Sequence, residues 1–544
     1  MYDNDQIGIY MKCLLISLQS NAYVTGLKYI AANVRDKGHD VKILLLPGYI
    51  EPALHPEIEH FIRDFSPDLI GIGLMAIEFY PAKNLTRLLK EKFRTPIIWG
   101  GVQVTVAPDD CIKYADYTCI GEGESVVVSL LEHLSAKGGD VPPDIPGIWV
   151  RHDGEVIKHP DRPLEMNLDS LPFQEYLPDY YYVFHNNTIH NFFTDPKLFR
   201  RYALYGGTCH LMMTTRGCPF NCGYCANSSL TKVFGRKIRK RSVKNCIEEL
   251  KMVKKDPYVL YINFEDDCFF VHDMEWIQSF CEEYKKHINL PFMLRAIPTM
   301  LDREKLLMLR DAGLCMIVMG VQTGSDHVNF DIYNRKVPFT SVMKANDLIA
   351  ESKVAPYYEM IVDNPYETEE DEMESINSMA RLKRPYTISL AHLTFFPGTP
   401  LTEKAVREKM ADPDAYLTRY MVNIDKTYFN ELLYMTPYIP RFLIRYLNRQ
   451  EAERNAMHVI LASILFFIVK RTVEPALFFF VITRGLKYNI NWTMRTVLGN
   501  WKTAIAKLLF NFLGKGDMEF DERLKLAKIK MPDLFEKDTH SFSK

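Results

Sequence analysis

Three features of the 544-residue sequence predict an α/β fold. Short apolar runs alternate with amphipathic stretches over the first third, the alternation resumes in the middle, and the end is mostly apolar and helical in pattern. The fold class that follows has three parts: an N-terminal doubly wound, Rossmann-like parallel sheet, a central partial (β/α)6 TIM-like barrel, and a helical C-terminal region. The expected domains are residues 10–140 for the sheet, 141–204 for a connector with a β-hairpin, 205–400 for the barrel and 401–544 for the helical end.

Length and composition agree with this division. At roughly 150 residues per domain the chain divides into three or four domains, and 47% hydrophobic with 25% charged residues suffices for several cores. A formal net charge of −2 gives no global attraction to nucleic acid, so none is expected as a partner. Met1–Leu15 contains charges and no long apolar core, unlike a secretory signal. The eleven cysteines are an odd number and fit a reducing cytoplasm.

In the first third, Lys12–Leu18, Val41–Leu46, Leu69–Leu74 and Pro96–Trp99 read as buried parallel strands. Thr25–Lys37, Glu57–Phe65 and Ala82–Lys92 have helical spacing, and Gly38 stops the first of them. Thr118–Ile120 is a further strand, followed by Gly121-Glu122-Gly123-Glu124 and a helix to about Leu134. Glycines mark the strand ends: Gly71, Gly73, Gly100, Gly101, Gly121 and Gly123. Doubly wound sheets bind ligands at such ends, where a residue without Cβ lets a flat ligand or phosphate come close. Turn geometry alone explains the same glycines. In the connector, Trp149–Lys158 reads as a hairpin around Asp153-Gly154. Its aromatics Tyr180, Tyr181, Tyr182 and Phe184 are expected to pack across the domain junction.

The barrel begins with His210–Thr214, a strand that delivers Cys218-Pro-Phe-Asn-Cys222-Gly-Tyr-Cys225. Three soft thiolates at CxxxCxxC spacing can hold three irons of a 4Fe-4S cube and leave the fourth without a protein ligand. Zinc is the competing reading, but it usually needs a fourth ligand, and the nearest further cysteines are Cys246 and Cys268. A disulfide framework suits smaller secreted chains with paired cysteines. The other eight cysteines read as buried thiols.

Five more strand–helix units follow. Ser242 caps a helix to Lys255, and Val259–Phe264 ends in Glu265-Asp266-Asp267. Asp273 caps Met274–Lys286, Phe292–Ile297 carries Arg295, and Asp302 opens a helix to Asp311. Cys315–Gly320 ends in Gly320-Val321-Gln322-Thr323-Gly324-Ser325, Tyr357–Val362 in Asp363-Asn364-Pro365, and Thr387–Phe395 in Phe396-Pro397-Gly398-Thr399-Pro400. Polar groups at the carboxyl ends of barrel strands face the site.

The cysteine motif, with Tyr224 just before its last cysteine, resembles the radical S-adenosylmethionine (SAM) enzymes. There SAM chelates the open iron, and an electron from the cluster splits its sulfonium bond to give a 5′-deoxyadenosyl radical. Upstream, the order Gly26-Leu27-Lys28-Tyr29-Ile30-Ala31-Ala32, Pro67-Asp68-Leu69-Ile70-Gly71, Gly100-Gly101 with Pro108, then Gly-Glu-Gly-Glu resembles the cobalamin-binding domain of cobalamin-dependent radical SAM enzymes. The resemblance runs over nearly all of residues 12–400. It implies Cys218, Cys222 and Cys225 as cluster ligands, and Gly71, Gly73, Gly100, Gly101, Gly121, Glu122 and Gly123 at cobalamin. It implies Tyr224, Glu265, Asp266, Arg295 and Gln322 at SAM: the carboxylates for its ammonium, Arg295 for its carboxylate or an acidic substrate, and Gln322 for ribose hydroxyls.

Two departures matter. Where many cobalamin proteins carry a DxHxxG loop, this sequence has Leu18-Gln19-Ser20-Asn21-Ala22-Tyr23. The lower face of cobalamin is therefore expected to lack a protein histidine, with a degenerate, cobalamin-free domain as the alternative. Asp363-Asn364-Pro365-Tyr366-Glu367-Thr368 stands where relatives have Gly-x-Pro-Gly-Glu-Thr, which puts side chains at two glycine positions near the barrel mouth.

The resemblance implies methylation of an unactivated carbon of a small-molecule substrate, fed by a low-potential donor such as flavodoxin or ferredoxin. Oxidative cyclisation or rearrangement would use the same residues. A non-catalytic iron–sulfur or cobalamin sensor is the alternative of a different class. A methylthiotransferase would need a second cysteine trio, and Cys13, Cys111 and Cys119 are too widely spaced.

At the C-terminal end, His458–Val469 is a twelve-residue apolar run, interrupted by Lys470-Arg471-Thr472-Val473-Glu474 before Pro475–Thr483. A bilayer span needs about 18 or more apolar residues, so neither piece qualifies alone. The plain expectation is two buried or dimer-forming helices. The sharper one is peripheral membrane contact through 458–487, with Phe466, Phe467, Phe478, Phe479 and Phe480 in lipid and Lys470, Arg471, Arg484 and Lys487 at headgroups. The expected location is thus cytoplasmic, with or without membrane association. The apolar tail keeps a lipid or tetrapyrrole among the candidate substrates.

Overall fold

The structure, a computed structural model, describes residues 10–139, 141–419, 421, 423–474, 476 and 520–535. The first sheet contains β1 (Lys12–Ser17), β2 (Asp40–Leu45), β3 (Leu69–Gly73), β4 (Ile97–Gly100), β5 (Tyr117–Cys119), β6 (Ile148–His152), β7 (Glu155–Lys158), β8 (Tyr181–His185) and β9 (Thr188–Asn191). Their spatial order is β7-β6-β5-β4-β3-β1-β2-β8-β9. The strands from β5 to β8 run parallel, and antiparallel hairpin strands close both edges.

β1 shows why the sheet is double-faced. Cys13 and Leu15 point into one apolar layer with the helices Thr25–Asp36 and Glu124–Lys137. Leu14 and Ile16 point into the other, with Pro56–Phe65 and Phe79–Lys92. Apolar side chains on both faces are what a strand between two helical layers requires. The connector forms the expected hairpin, β6 and β7 around Asp153-Gly154, and adds a strand to the sheet's other edge. Its aromatic run is strand β8, paired to β2 at Ile43–Tyr181, and the fully buried Tyr181 donates its hydroxyl proton to the Ala22 carbonyl at 2.8 Å.

The second half holds β10 (Cys209–Met212), a short antiparallel pair β11 (Thr215–Arg216) and β12 (Arg239–Lys240), then β13 (Tyr261–Phe264), β14 (Phe292–Ala296), β15 (Leu314–Gln322), β16 (Ala355–Val362) and β17 (Thr387–His392). Six of these form a parallel sheet in chain order, β10-β13-β14-β15-β16-β17. Helices return the chain after each strand, and three begin on the expected caps. Ser242, Asp273 and Asp302 accept from the backbone amides of Asn245, Trp276 and Lys305 at 3.1, 2.9 and 2.9 Å.

The C-terminal region is helical where described, through Tyr428–Met435, Arg441–Leu447, Ala456–Ile468 and Phe520–Lys530. Lys470-Arg471 does not break the third helix, which runs on through a π turn at Val469–Val473. Ala456–Val473 is therefore one 18-residue element, long and apolar enough to cross a membrane by length and composition, and 17% of it is buried. The first of the two expected helices is thus mostly exposed rather than buried. Phe478, Phe479, Phe480, Arg484, Lys487 and the rest of 477–487 lie outside the described residues. The 520–535 segment returns to the first domain, where Leu524, Ala527 and Leu534 pack on Ile50 and Ile77.

Candidate cofactor-binding site

The cysteine loop leaves β11 and returns on β12, so a two-residue ladder pins its base. Gly217 turns it with φ +108, and an added Cβ would lie 3.3 Å from the Lys237 carbonyl. Cys225 donates its amide to the Cys222 carbonyl at 3.1 Å and starts the helix Ala226–Phe234. All three cysteines are free and half-buried. Burial pushes Cys218 up to about 12 and Cys225 to about 11, and both also feel the charge of Cys222 and Asp267. Thiols this reluctant to ionise face a common space and become thiolates when cations share their charge.

The trio suits a cluster better than a lone ion. Zinc at 2.3 Å from each sulfur would draw the sulfurs to about 3.8 Å apart. Among the described residues, one His/Cys/Asp/Glu trio falls within 4.8 Å, and it is Asp363, His392 and Asp425 instead. In that trio, Arg419 lies 2.9 Å from Asp425 and 3.5 Å from Asp363, which makes it a salt-bridge knot. Asp363 has φ +59, the conformation glycine favours. It accepts from the Asp425 amide and Asn430 and pairs with His392 Nδ1 at 2.9 Å, tying β16 and β17 to the C-terminal region.

The acidic end of β13 divides its labour. Asp266 is fully buried, and its Oδ1 accepts from the amides and hydroxyls of Thr214 and Thr215 at 2.5 to 2.9 Å. Through this oxygen the residue, expected at SAM, anchors the start of the cysteine loop. Asp267 takes the exposed position facing Cys218 and Cys225. Glu265 points inward and accepts from Arg295 Nε at 3.0 Å, while Arg295 Nη1 reaches both oxygens of Glu359 at 3.2 Å. Burial would lower the Arg295 pKa, but the two carboxylates outweigh it and raise it. Two carboxylates against one guanidinium leave one excess negative charge. That suits a cationic group, while Arg295 Nε and Nη1 are engaged by the two carboxylates.

Beside this wall, Gln322 has φ +74 where β15 bulges, and its amide nitrogen fills the space over Gly320. Arg335, buried below, donates to the carbonyls of Val321 and Gly320 at 3.1 and 2.5 Å and fixes that strand end. Tyr224 packs its ring edge on Tyr333 at 4.7 Å, and Gly223 donates its amide to the Tyr333 carbonyl at 2.7 Å. The cysteine loop is thereby held against the segment after β15. Burial, with Glu372 and Asp371 nearby, pushes Glu367 up to about 8, which gives a carboxyl protonated at neutral pH. Asp267, Glu359 and Glu367 were not singled out from sequence. For Glu359 a signal existed, since a charge within alternating Ala355–Val362 must face the lumen.

At the carboxyl ends of the first sheet, the glycines behave differently from one another. Gly101 has φ +106, and an added Cβ would sit 2.5 Å from the Leu74 carbonyl, so the position demands glycine. The spaces over Gly71, Gly73 and Gly123 are taken by Leu15, Leu27 and Ile30, each 2.9 Å from an added Cβ. These three serve internal packing. Gly100 meets Cys119 at an ordinary 3.7 Å. Exposed Met75 and Val102 flank the ends of β3 and β4 and offer an apolar rest for a flat ring.

Gly121 lies against Phe234 of the cysteine-loop helix, and Glu122 forms a clamp. Glu122 meets Arg216 at 2.9 Å and Arg239 at 2.6 and 2.9 Å, while Glu124 meets Arg216 at 2.7 Å. Burial alone would raise the Glu122 pKa, but Arg239 and Arg216 outweigh it and hold it below the usual carboxylate range. Arg216 and Arg239 are cross-strand partners at the base of the cysteine loop. Glu122, expected at cobalamin, thus locks its loop to the cluster loop.

The two halves of the chain meet at this clamp. The B12 binding domain model matches residues 11–131, and the radical SAM superfamily model matches residues 212–379. The chain belongs to the B12-binding radical SAM enzymes. It is similar to an uncharacterized methyltransferase of Pyrococcus horikoshii, 26% identical over 71% of this chain and 79% of that protein. The cytidylyl-2-hydroxyethylphosphonate methyltransferase of Streptomyces wedmorensis is 24% identical, over 59% of this chain and 66% of its own length. The anaerobic magnesium-protoporphyrin IX monomethyl ester cyclase of Rubrivivax gelatinosus is also 24% identical, over 69% and 65%. In fold, the cobalamin-dependent SAM radical enzyme OxsB superposes with a TM-score of 0.63 at 15% identity, over 97% of this chain and 85% of its own. The chain is a cobalamin-dependent radical SAM enzyme.

Proposed function

We propose that this enzyme methylates an unactivated carbon of a small hydrophobic substrate. The observation that carries the reading is the Glu122 clamp, which fastens the B12-domain loop to the base of the cysteine loop. Methyl transfer to a carbon radical needs donor and acceptor within a few ångströms, and a rigid link between the two halves supplies that order. When bound, the 4Fe-4S cluster, SAM and cobalamin would supply low-potential bond cleavage, hydrogen abstraction and the methyl group.

In this reading Cys218, Cys222 and Cys225 hold three irons, and Tyr224 borders SAM from the loop. Glu265 and Glu359, with one negative charge in excess of Arg295, receive the ammonium, and Gln322 accepts from ribose hydroxyls. Asp267 faces the cleft beside the cysteines. Gly100, Gly101, Met75 and Val102 would lie against cobalamin, and the Leu18–Tyr23 loop would offer it no histidine. Electrons come from a flavodoxin or ferredoxin. A lipid or a tetrapyrrole is the favoured substrate class, on the strength of the apolar tail and of relatives named for magnesium-protoporphyrin and bacteriochlorophyllide chemistry.

Anaerobic incubation with reductant, methyl-labelled SAM and a hydrophobic extract of the source cells tests this. Label in product, with S-adenosylhomocysteine and 5′-deoxyadenosine formed together, is the expected result. 5′-Deoxyadenosine without methyl incorporation would mean cyclisation or rearrangement, and intact SAM would mean a sensor.

A further inference from the structure

The helix Ala456–Ile468, with its continuation to Val473, has two unlike faces. His458, Ala462 and Val469 are buried, and Phe466 meets the Tyr434 ring at 5.6 Å on the helix Tyr428–Met435. This stripe repeats at helical spacing and fixes the element along the protein surface. The opposite face is apolar and open: Met457, Ile460, Ile464, Phe467 and Ile468, joined by Phe442 of the neighbouring helix, are 45% to 69% exposed. Contiguous exposure of six large apolar side chains marks a surface that meets something apolar.

Charge identifies the occupant. Lys470 and Arg471 sit over the rings of Phe466 and Phe467, 5.6 and 4.5 Å from their centroids, and Arg445 and Arg449 are exposed beside Phe442 and Tyr446. Cations stacked on the rim of an apolar face match a layer with an oily interior and anionic headgroups. The packed stripe through His458, Ala462, Phe466 and Val469 holds the helix lengthwise against the fold, with its open face turned outward. We infer that the Met457–Ile468 face, with Phe442, docks this enzyme onto the surface of an anionic lipid bilayer, half-immersed and parallel to it.

Flotation of the full-length, cluster-loaded protein with vesicles tests the inference. Binding to phosphatidylglycerol–phosphatidylcholine vesicles should exceed binding to phosphatidylcholine vesicles about tenfold or more, and salt should weaken it. Ile460→Ser with Ile464→Ser should abolish flotation with the cluster absorbance retained. Lys470→Glu with Arg471→Glu should erase the preference for anionic lipid, with the cluster absorbance retained. Wild-type protein that stays with the soluble fraction would overturn the inference. So would a dimer, seen by sedimentation, that the serine variants dissolve without any vesicle binding. Extraction from vesicles by detergent alone, and not by high salt or alkaline carbonate, would replace surface docking with a spanning helix.

Discussion

Replacing Glu122 with Gln should loosen the cysteine loop. The carboxylate receives three guanidinium contacts at 2.6 to 2.9 Å, and the Glu122, Arg216 and Arg239 side chains are 20%, 16% and 4% exposed. Breaking a buried ion pair from one side costs about 3–5 kcal/mol. Arg216 keeps Glu124, and Arg239 keeps the Glu165 carbonyl at 2.8 Å, so the lower end applies, about 3 kcal/mol. Glu124→Gln removes one contact and should cost about 1 kcal/mol. Native-state hydrogen exchange on anaerobic apoprotein reads the difference locally. Amides of Ala226–Phe234 should exchange roughly a hundredfold faster in Glu122→Gln, at about 1.4 kcal/mol per factor of ten. A double-mutant cycle with Arg239→Met should return a coupling of about 2 kcal/mol or more. Equal protection in wild type and Glu122→Gln, or additive effects in the cycle, would refute the clamp.

Other outcomes follow from the same geometry. Glu359→Gln takes the excess negative charge from the lumen wall and should weaken SAM binding about tenfold at unchanged cluster content, measured by equilibrium dialysis; unaltered affinity would remove the wall from the SAM site. Asp266→Ala strips acceptors from two buried amides and two hydroxyls and should cost about 3 kcal/mol with poor cluster retention, whereas Asp267→Ala should fold normally and fail in SAM cleavage. Glu367 titrates near 8, above the ordinary 4.5, because burial penalises its charge. Its contribution to stability is therefore complete below pH 4.5 and lost as pH rises through about 8. Glu367→Gln should flatten the decline in melting temperature between pH 4.5 and 8, and an identical profile would contradict the assignment.

The fold was legible because burial on two faces leaves near-continuous apolar runs, as in Lys12–Ser17 and Asp40–Leu45, while helix caps leave Ser and Asp at fixed offsets. β8 was not legible. Its pairing with β2 joins Ile43 to Tyr181 across a long crossover, and a short aromatic run after a proline-rich stretch carries no local mark of its partner. Helix continuity through Lys470-Arg471 was missed because exposed cations interrupt an apolar pattern without interrupting a backbone. At the site, the cysteine spacing marked the candidate ligands. The adjacent Glu265, Asp266 and Asp267 could not be told apart, since which carboxylate turns into the cleft depends on Thr214 and Thr215, some fifty residues upstream. Glu122 illustrates the same limit, because its partners Arg216 and Arg239 are supplied by the other half of the chain.

Electron paramagnetic resonance of the anaerobically reconstituted, dithionite-reduced enzyme, before and after SAM is added, tests the vacant iron most directly. A 4Fe-4S signal whose g-values move on addition of SAM, and which disappears in Cys222→Ala, is the predicted result. A spectrum indifferent to SAM, or a protein that takes up zinc in place of iron, would contradict it.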